Sequence, residues 1–420
     1  MIGRVSLTVG SRLALTALSL VSSIITARVL GEAGRGDYFF MITLSATIVQ
    51  FTNLGLPVSA TYVVSQDVET APSVVANAFW VSLIGAGGAG VLLAVVAHAI
   101  GELTDTPISY LLLAAALAPP SLFFTIVANV LTGMERFVAF NLIEAGSRAI
   151  AVVAIICAGI VGAGAGGFVG AAIAAWTVAA AAAGWAALRG THPRLGFNTA
   201  LFTSGFRYST KAYLVTLLGF LVLRANIFLL RRDFGPDDLG LYSIAAQLGD
   251  VLAIVPQAIA LVLFPRLVRE TTSRWASTVD ATLMTSGLMV VACGVAAVIA
   301  GPAIDLLYGP EFAPAATVLQ IMLPGVFCLG VANVLLQYLG AEGLPRIVVA
   351  IWAGAFALLV GLSLALVPRH AGAGAAAALS GTYAVLLVAV LWASRRHHRR
   401  GEAPGMSLQI DSEGLPPASE

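Results

Sequence analysis

Long apolar runs recur along the whole 420-residue chain, and they constrain its fold more than any other feature. A helix of about 20 apolar residues spans the roughly 30 Å hydrocarbon core of a bilayer. Charged residues make up 10% of the sequence, whereas soluble domains contain about 25%. Too little polar surface therefore exists to coat a water-soluble particle. We predict an all-α polytopic membrane protein and exclude a soluble enzyme domain.

Polar breaks divide the chain into about twelve predicted transmembrane spans. The first apolar stretch is too long for a signal peptide and lacks a small-residue cleavage site, so we count it as the first span. Gly55 and Pro57 interrupt the second span and Pro256 falls inside the eighth, which predicts bends at these places. The predicted spans are 8–30, 38–65, 74–100, 108–133, 142–161, 167–188, 208–230, 240–266, 280–304, 314–340, 346–367 and 372–394.

The distribution of basic residues predicts that both termini face the cytoplasm, because cytoplasmic loops of membrane proteins are enriched in Lys and Arg. Fourteen of the 22 basic residues then lie on the inner side, and three lie within spans. The end of the chain is basic and then polar and rich in proline and glycine, so we expect a disordered cytoplasmic tail. The five basic residues on the predicted outer side are Arg28, Arg35, Arg231, Arg232 and Arg369.

The sequence repeats itself at a constant offset of 204 residues. The pentapeptide VANVL occurs at 127–131 and again at 331–335, and Pro120 matches Pro324. Three separate matches at one offset predict that the chain is duplicated. The third match pairs Gly31, Gly36 and Tyr38 with Gly235, Gly240 and Tyr242.

Each predicted half holds six spans, and an even number preserves orientation. The halves are then parallel repeats about an axis along the membrane normal. Transporters with this symmetry bind substrate between the halves and expose it alternately to each side, so the repeat favours a transporter over a membrane enzyme. The predicted domains are an N-terminal lobe at 1–190, a cytoplasmic linker at 191–207, a C-terminal lobe at 208–394 and a tail at 395–420.

Few ionisable residues fall within the predicted spans, where each costs roughly 2.5–3.5 kcal/mol on insertion scales. Arg224 in span seven and Asp250 in span eight lie at similar depth on consecutive antiparallel helices. Two interpretations stay open. The two residues pair with each other, or Arg224 binds an anion in a hydrated cavity while Asp250 and Gln247 position it.

Three further cations are candidates for binding an anionic substrate. Arg148 follows Glu144 on span five at i,i+4 spacing, the favoured order for an ion pair within a helix, so a self-neutralised pair is the leading interpretation. Lys211 near the inner end of span seven and Arg12 in span one either extend to the inner interface or attract a phosphate group to the inner mouth.

Uncharged polar residues within the spans either hold helices together or contact substrate. Asn53 and Asn226 are the candidates for substrate contact. The others of this type are Asn129, Asn333 and Gln337.

The sequence predicts neither a cofactor site nor a metal site. Its three cysteines lie inside apolar runs, and their spacing fits neither a disulfide framework nor a zinc site. Gly85, Gly87 and Gly90 form a G-x-G-x-x-G pattern, but no strand precedes it, so close helix packing explains it better than a dinucleotide site. A net charge of +1 gives no indication of a nucleic-acid partner.

Three segments resemble the polysaccharide-export flippases of the multidrug/oligosaccharidyl-lipid/polysaccharide exporter superfamily. The segments are ARVLGEAGRGDYFF with the following NLGLPVSATYVVSQ, then VLRANIFLLRRDFGPDDLGLYSIAAQLGDVLAIVPQAIALVLFPRL, and finally LYGPEFAPAATVLQIMLPGVFCLGVANVLLQYLGAEGLPR. Members of that family commonly carry an acidic residue where this chain has Asn226. The resemblance carries over Arg224 and Asn226, which occupy the matching stretch.

The resemblance implies twelve helices in two six-helix lobes and a place in the bacterial cytoplasmic membrane. It implies that a lipid-linked oligosaccharide moves from the inner to the outer leaflet. A cationic cavity would receive the pyrophosphate and sugar headgroup while the lipid tail stays in the bilayer. The expected partners are this substrate, membrane lipids and other proteins of surface-polysaccharide assembly.

Three alternative functions stay open. An ion-coupled multidrug exporter of the same superfamily needs an acidic, ion-binding cavity, for which Asp250 is the candidate. Peptidoglycan-precursor flippases resemble the leading class, but usually carry two extra helices and a more strongly charged groove. A membrane glycan polymerase or ligase fits poorly with the short outer loops and the repeat.

Overall fold

The structure is a computed structural model in which the described part of the chain is almost entirely helical and contains no strand. Its side chains are described from residue 16 onward, with 98–100 and those after 399 left out. The described residues are 2–100, 106–191, 194, 196–269, 273–343 and 345–401.

Twelve α-helices, numbered here in chain order, carry the fold in the described part of the chain. A π-helical turn at Val81–Ala86 joins α3 to α4, and short 3₁₀ turns lie at Val68–Thr70 and Pro310–Phe312. The helices are α1 Ile2–Thr52, α2 Leu56–Gln66, α3 Ala71–Trp80, α4 Gly87–Ile100, α5 Ile108–Gly133, α6 Phe137–Ile160, α7 Ala165–Leu188, α8 Thr199–Leu252, α9 Ile254–Arg269, α10 Arg274–Tyr308, α11 Ala315–Ala341 and α12 Arg346–Gly401.

The prediction of an all-α polytopic membrane protein is confirmed. Within the described residues, nine continuous helical stretches are long and apolar enough to cross a bilayer. Three of these stretches contain a residue with non-helical backbone angles, at Gly31, Gly235 and Ala371. If the chain turns back at each of these three residues, the nine stretches become twelve spans. The number twelve, the repeat and the domain boundaries stay predictions.

Gly31 and Gly235 break their helices in the same way. Their φ/ψ angles are 64°/−174° and 79°/−161°. Only glycine adopts this region readily, because a Cβ would clash with the backbone. The two residues are also 204 positions apart, so the offset found in the sequence pairs two similar turns.

A further break at the predicted bend in the second span separates α1 from α2. Leu54 and Gly55 both have positive φ, at 49° and 75°. The Asn53 side-chain oxygen accepts a hydrogen bond from the Gly55 N–H at 2.8 Å. Pro57 then stands in the first turn of α2, where its missing N–H does no harm. The predicted bend near Pro256 is the break at Ala253 between α8 and α9.

The most buried spanning helices are α5 and α11, which carry the two copies of VANVL. Their most apolar windows are 56% and 61% buried, whereas the other spans expose most of theirs to the surroundings. Helix α5 packs closely on α4, because a methyl group at Gly90 would lie 2.8 Å from the Ala115 Cβ. The G-x-G-x-x-G pattern therefore serves helix packing. Helices α1 and α8 pack along each other and join the two halves.

Candidate functional site

A cavity of about 590 Å³, here named the central cavity, lies between the two halves of the chain. Helices α1, α6 and α7 form one wall, and α8 and α9 form the other. Helices α6 and α9 belong to opposite walls and have no extensive contact with each other among the described residues. The charged and amide side chains that line it are Arg35, Glu144, Arg148, Arg224, Gln247, Asp250 and Gln257.

Arg224 and Asp250 form an ion pair at the central cavity, as their similar depth predicted. The Nη2 atom of Arg224 lies 3.0 Å from Oδ2 of Asp250. The turn at Gly235 folds the two parts of α8 against each other and brings the residues together. The guanidinium also lies over the Phe39 ring, 5.9 Å from its centroid.

This pair leaves binding capacity unused. Asp250 keeps 45% of its side chain exposed, so the pair is open to the cavity rather than sealed. In the described part of the chain Arg224 makes one hydrogen bond, to Asp250. A guanidinium carries five N–H donors in a planar fork that matches carboxylate and phosphate groups. Arg224 can therefore bind an anion from the cavity without first leaving Asp250.

Arg35 corrects one expectation from the sequence, which placed it in an outer loop. Its side chain is buried, 3% exposed, and lines the central cavity. The guanidinium donates to the hydroxyls of Ser23 and Ser243, each at 3.1 Å, and to Thr26. It lies 5.7 Å from the centroid of the Tyr38 ring.

The reason for this placement is the turn at Gly31. Because the second part of α1 restarts there, Arg35 falls one turn inside the new helix and points between the halves. Among the described residues it has hydroxyl partners and no carboxylate partner. Hydroxyl groups satisfy hydrogen bonds but leave the positive charge uncompensated. Charge patterning did not indicate this placement, because a residue next to a turn is assigned to a loop.

Arg148 also faces the central cavity, but the ion pair expected with Glu144 does not form. The two side chains both line the cavity, and no ion pair joins them in the described structure. Arg148 lies instead over the Trp176 ring of α7, 6.0 Å from its centroid. The expectation was wrong because it considered one helix alone. The aromatic face on the neighbouring helix competes for the guanidinium.

Gln247 lines the central cavity as predicted, with its Nε2 atom 3.5 Å from the Ser19 hydroxyl of α1. Gln257 on α9 is a further cavity residue that the sequence did not single out. Both amides offer donors and acceptors to a polar group in the cavity.

Two predicted substrate contacts lie elsewhere. Asn226 is fully buried, and its Nδ2 atom donates to the Tyr242 hydroxyl at 2.8 Å and to the Ala375 carbonyl at 3.4 Å. Asn53 bonds to Gln50 and caps the break before α2. Neither residue lines the central cavity, and both join backbone or helices.

The structure places one of the two remaining cations outside the central cavity. Lys211 is exposed on α8 and lies outside the cavity lining. Arg12 belongs to α1, but its side chain lies outside the described residues. Within the described part of the chain, no group of three His, Cys, Asp or Glu residues is placed to hold a metal ion.

At the end of the helices that contains Gly31 and Gly235, polar contacts join the halves. We name this set the outer seam, because the distribution of basic residues predicts that this end faces outward. Arg231 of α8 is 3% exposed and pairs with Asp37 of α1 at 2.7 Å. It also donates to the Thr106 hydroxyl at 3.1 Å. Arg28 of α1 donates to the carbonyl oxygens of Leu306 and Leu307 of α10. The sequence placed Arg28 and Arg231 in loops, whereas both hold helices of opposite halves together.

Aromatic and small residues join the halves at the other end. The rings of Tyr62 on α2 and Tyr208 on α8 stack with their centroids 4.0 Å apart. The Tyr213 hydroxyl donates to the Phe51 carbonyl at 3.0 Å. A methyl group at Gly55 would lie 2.5 Å from the Ser209 hydroxyl, so α2 and α8 approach closely there.

The sequence matches one protein family, and the fold matches several solved structures. A family model described as "Polysaccharide biosynthesis protein" matches residues 4–271, more than half of the chain. No curated protein matches the sequence.

Several solved structures share the fold at low sequence identity. One is the lipid II flippase MurJ in an inward closed conformation, with a TM-score of 0.73 and 12% identity, covering 92% of this chain and 86% of that one. Another is an inward-facing multidrug resistance MATE family transporter of the MOP superfamily, with a TM-score of 0.69 and 15% identity, covering 93% and 96% of the two chains. A third is an outward-facing transporter of the same description, with a TM-score of 0.66 and 15% identity over 96% of each chain. At these identities the likeness establishes the fold alone.

Proposed function

Because the chain belongs to the polysaccharide biosynthesis protein family, we propose that it moves a lipid-linked oligosaccharide, joined through pyrophosphate, from the inner to the outer leaflet of the bacterial cytoplasmic membrane. It acts as a transporter rather than an enzyme. Membrane lipids surround it, and other proteins of surface-polysaccharide assembly supply and receive its substrate.

The observation that carries this proposal is the charge of the central cavity. Its described lining holds three guanidinium groups and two carboxylates, and of the five only Arg224 and Asp250 pair with each other. Arg35 and Arg148 keep their charge available to a ligand. A pyrophosphate headgroup cannot cross about 30 Å of hydrocarbon unaided. Guanidinium groups replace its lost hydration with charge-assisted hydrogen bonds.

The walls of the cavity support alternating access as the mechanism. The substrate enters between α6 and α9, which have no extensive contact with each other in the described part of the chain, while the outer seam joins the halves at one end. Transport then requires the outer seam to open after the headgroup has entered. The remaining amides and hydroxyls of the cavity bond to sugar hydroxyl groups. Binding is kept modest by Asp250 and Glu144, since excess attraction would prevent release.

The direct test is flipping of a fluorescent polyprenyl-pyrophosphate disaccharide in proteoliposomes. Arg224→Ala should reduce the rate by about 10- to 100-fold, since a hydrogen bond to a charged group contributes about 1.5–3 kcal/mol. Arg232→Ala is the matched control, because Arg232 is 44% exposed and lies outside the central cavity. Wild-type protein that flips no lipid-linked sugar would overturn the proposal. Equal rates for the two variants would remove Arg224 from the site.

A multidrug exporter is the second candidate, favoured by the carboxylates at the cavity and by the MATE-type fold. The family match and the surplus of arginines argue against a cationic drug as the main substrate. Deleting the gene distinguishes the two. Drug sensitivity with normal surface glycans supports the exporter, and lipid-linked sugar trapped on the inner leaflet supports the flippase. A peptidoglycan-precursor flippase is tested in the same liposomes with lipid II as the substrate.

A further inference from the structure

A second pocket, here named the apolar groove, has a volume of about 460 Å³ and lies between α1, α4, α5 and α8. Its floor consists of the buried side chains Leu44, Ile48, Ala94 and Leu111. Its rim is exposed, with Phe51 at 48% and Leu93 at 39% beside Ala89. The groove therefore opens on the outer surface of the helices, where the bilayer lies.

The lining of the apolar groove specifies the chemistry of its occupant. Thr47 and Thr52 are its only described hydroxyl residues. Each donates to a carbonyl of its own helix, Thr47 to Thr43 at 2.8 Å and Thr52 to Ile48 at 2.7 Å. A ligand with polar atoms would lose its hydration here and gain no hydrogen bond in return. A hydrocarbon chain has no such atoms to satisfy.

The apolar groove and the central cavity are built from the same parts of α1 and α8. On α8, Phe228 of the groove follows Arg224 of the cavity by one helical turn, so both lie on one face. On α1, Phe39 lies beneath Arg224, and the next residue, Phe40, contacts Phe228 with ring centroids 6.0 Å apart. Because Phe40 is 1% exposed, this contact closes the wall between the cavity and the groove, and a chain runs from Arg224 into the groove only when α1 and α8 separate there.

We propose that the apolar groove binds the hydrocarbon chain of the transported lipid while Arg224 holds its phosphate. This inference rests on the proposed function, because it assigns the tail of the same substrate. The groove is large enough to hold several carbon units of such a chain, since an engineered cavity of about 150 Å³ already holds benzene. The lipid then crosses the membrane along the protein surface with its headgroup in the cavity and its chain in the groove.

Filling the apolar groove tests the proposal without touching the central cavity. Ala89→Trp places a large ring at the exposed rim. Val91→Trp is the matched control, because Val91 is 50% exposed on the same helix and does not line the groove. Flipping is compared for one pyrophosphate disaccharide on a long polyprenyl chain and on a chain too short to reach the groove.

We expect Ala89→Trp to slow the long-chain substrate on the order of tenfold, which corresponds to losing contact with only about two methylene groups. The short-chain substrate should be flipped at the wild-type rate by both variants, and Val91→Trp should handle both substrates normally. Wild-type flipping of the long chain by Ala89→Trp overturns the proposal. An equal loss in Val91→Trp overturns it as well.

Photocrosslinking identifies the occupant independently of transport. A polyprenyl-pyrophosphate disaccharide with a diazirine in its chain should label α1, α4 or α8 peptides at the groove in wild-type protein and not in Ala89→Trp. Labelling should persist in a large excess of phospholipid. Loss of the label under that excess means that ordinary bilayer lipid fills the groove. If wild-type protein flips nothing, the proposed function fails, and the labelling still decides whether the groove binds this chain.

Discussion

Gly36 and Gly240 each approach the backbone of the opposite half so closely that a side-chain methyl group would overlap a carbonyl oxygen, that of Pro236 for Gly36 and that of Glu32 for Gly240. The relationship is reciprocal, because Gly36 and Gly240 are 204 positions apart, as are Glu32 and Pro236. A contact in which each partner meets the equivalent part of the other is typical of two-fold symmetry. It is the contact that parallel repeats facing each other would make.

Gly36→Ala should open the outer seam, because the added methyl group has no room beside Pro236. The measurement is labelling of a cysteine at Ser23, which is buried below the outer seam, by a membrane-impermeant thiol reagent in a cysteine-free background. We expect labelling to be at least about fivefold faster than in the parent protein. This factor corresponds to a loss of about 1 kcal/mol in the stability of the closed state relative to the open one. Gly287→Ala is the control, because its methyl group meets nothing within 4 Å. Identical labelling in both variants would show that the contact is not part of closure.

Arg35→Met should lower transport and leave stability equal or higher. The guanidinium is buried with hydroxyl partners alone, so its removal relieves desolvation rather than leaving an unpaired acid. We expect flipping to fall by about 10- to 100-fold, the loss of one hydrogen bond to a charged group. Thermal unfolding in detergent checks the stability. A melting temperature that drops together with transport would make Arg35 a structural residue.

Asp250→Asn should tighten substrate binding and slow release. Asp250 repels an anionic substrate bound at Arg224, because its negative charge lies 3.0 Å from the guanidinium. Neutralising it should raise affinity by roughly tenfold, since a nearby unit charge changes the interaction by at least 1 kcal/mol. Binding of a water-soluble pyrophosphate disaccharide is measured by calorimetry, and turnover is measured by the flipping assay. Weaker binding in the variant would mean that Asp250 contacts the substrate itself.

Asp37→Asn should weaken the outer seam, because it leaves Arg231 buried without its carboxylate. Breaking a buried pair costs about 3–5 kcal/mol, and the 20% exposure of Asp37 places this case at the lower end. Thermal unfolding in detergent measures the loss of stability. Cysteine labelling from the outer side measures the opening of the outer seam. Asp233→Asn is the control, because its partner Arg232 is exposed. Exchanging the charges, Asp37→Arg with Arg231→Asp, should restore part of the loss.

Ala371→Gly should stabilise the protein. Ala371 holds φ/ψ angles of 47°/−129° inside α12, a region that costs an L-residue about 1–3 kcal/mol and costs glycine little. The melting temperature should therefore rise. Ala376→Gly provides the contrast, since this buried residue in regular helix should lose about 1 kcal/mol. A fall in stability for both variants would show that the angle at Ala371 carries no strain.

Pairing within one half was predictable where it depended on helix depth. Arg224 and Asp250 lie on consecutive antiparallel helices, so counting residues from the turn was enough to place them together. The same counting failed for Glu144 and Arg148, because their partner choice depends on Trp176 of another helix. It also failed for Arg35, whose direction depends on how the chain leaves Gly31.

The sequence by itself determined that this chain belongs in a bilayer and that its second span bends near Gly55 and Pro57. These properties are local, since hydropathy, proline and glycine act on their own segment of chain. Only the tertiary structure decided which charges face the central cavity, which close the outer seam and that the apolar groove adjoins Arg224. A helix has several faces, and packing against helices distant in sequence selects the one that faces the cavity.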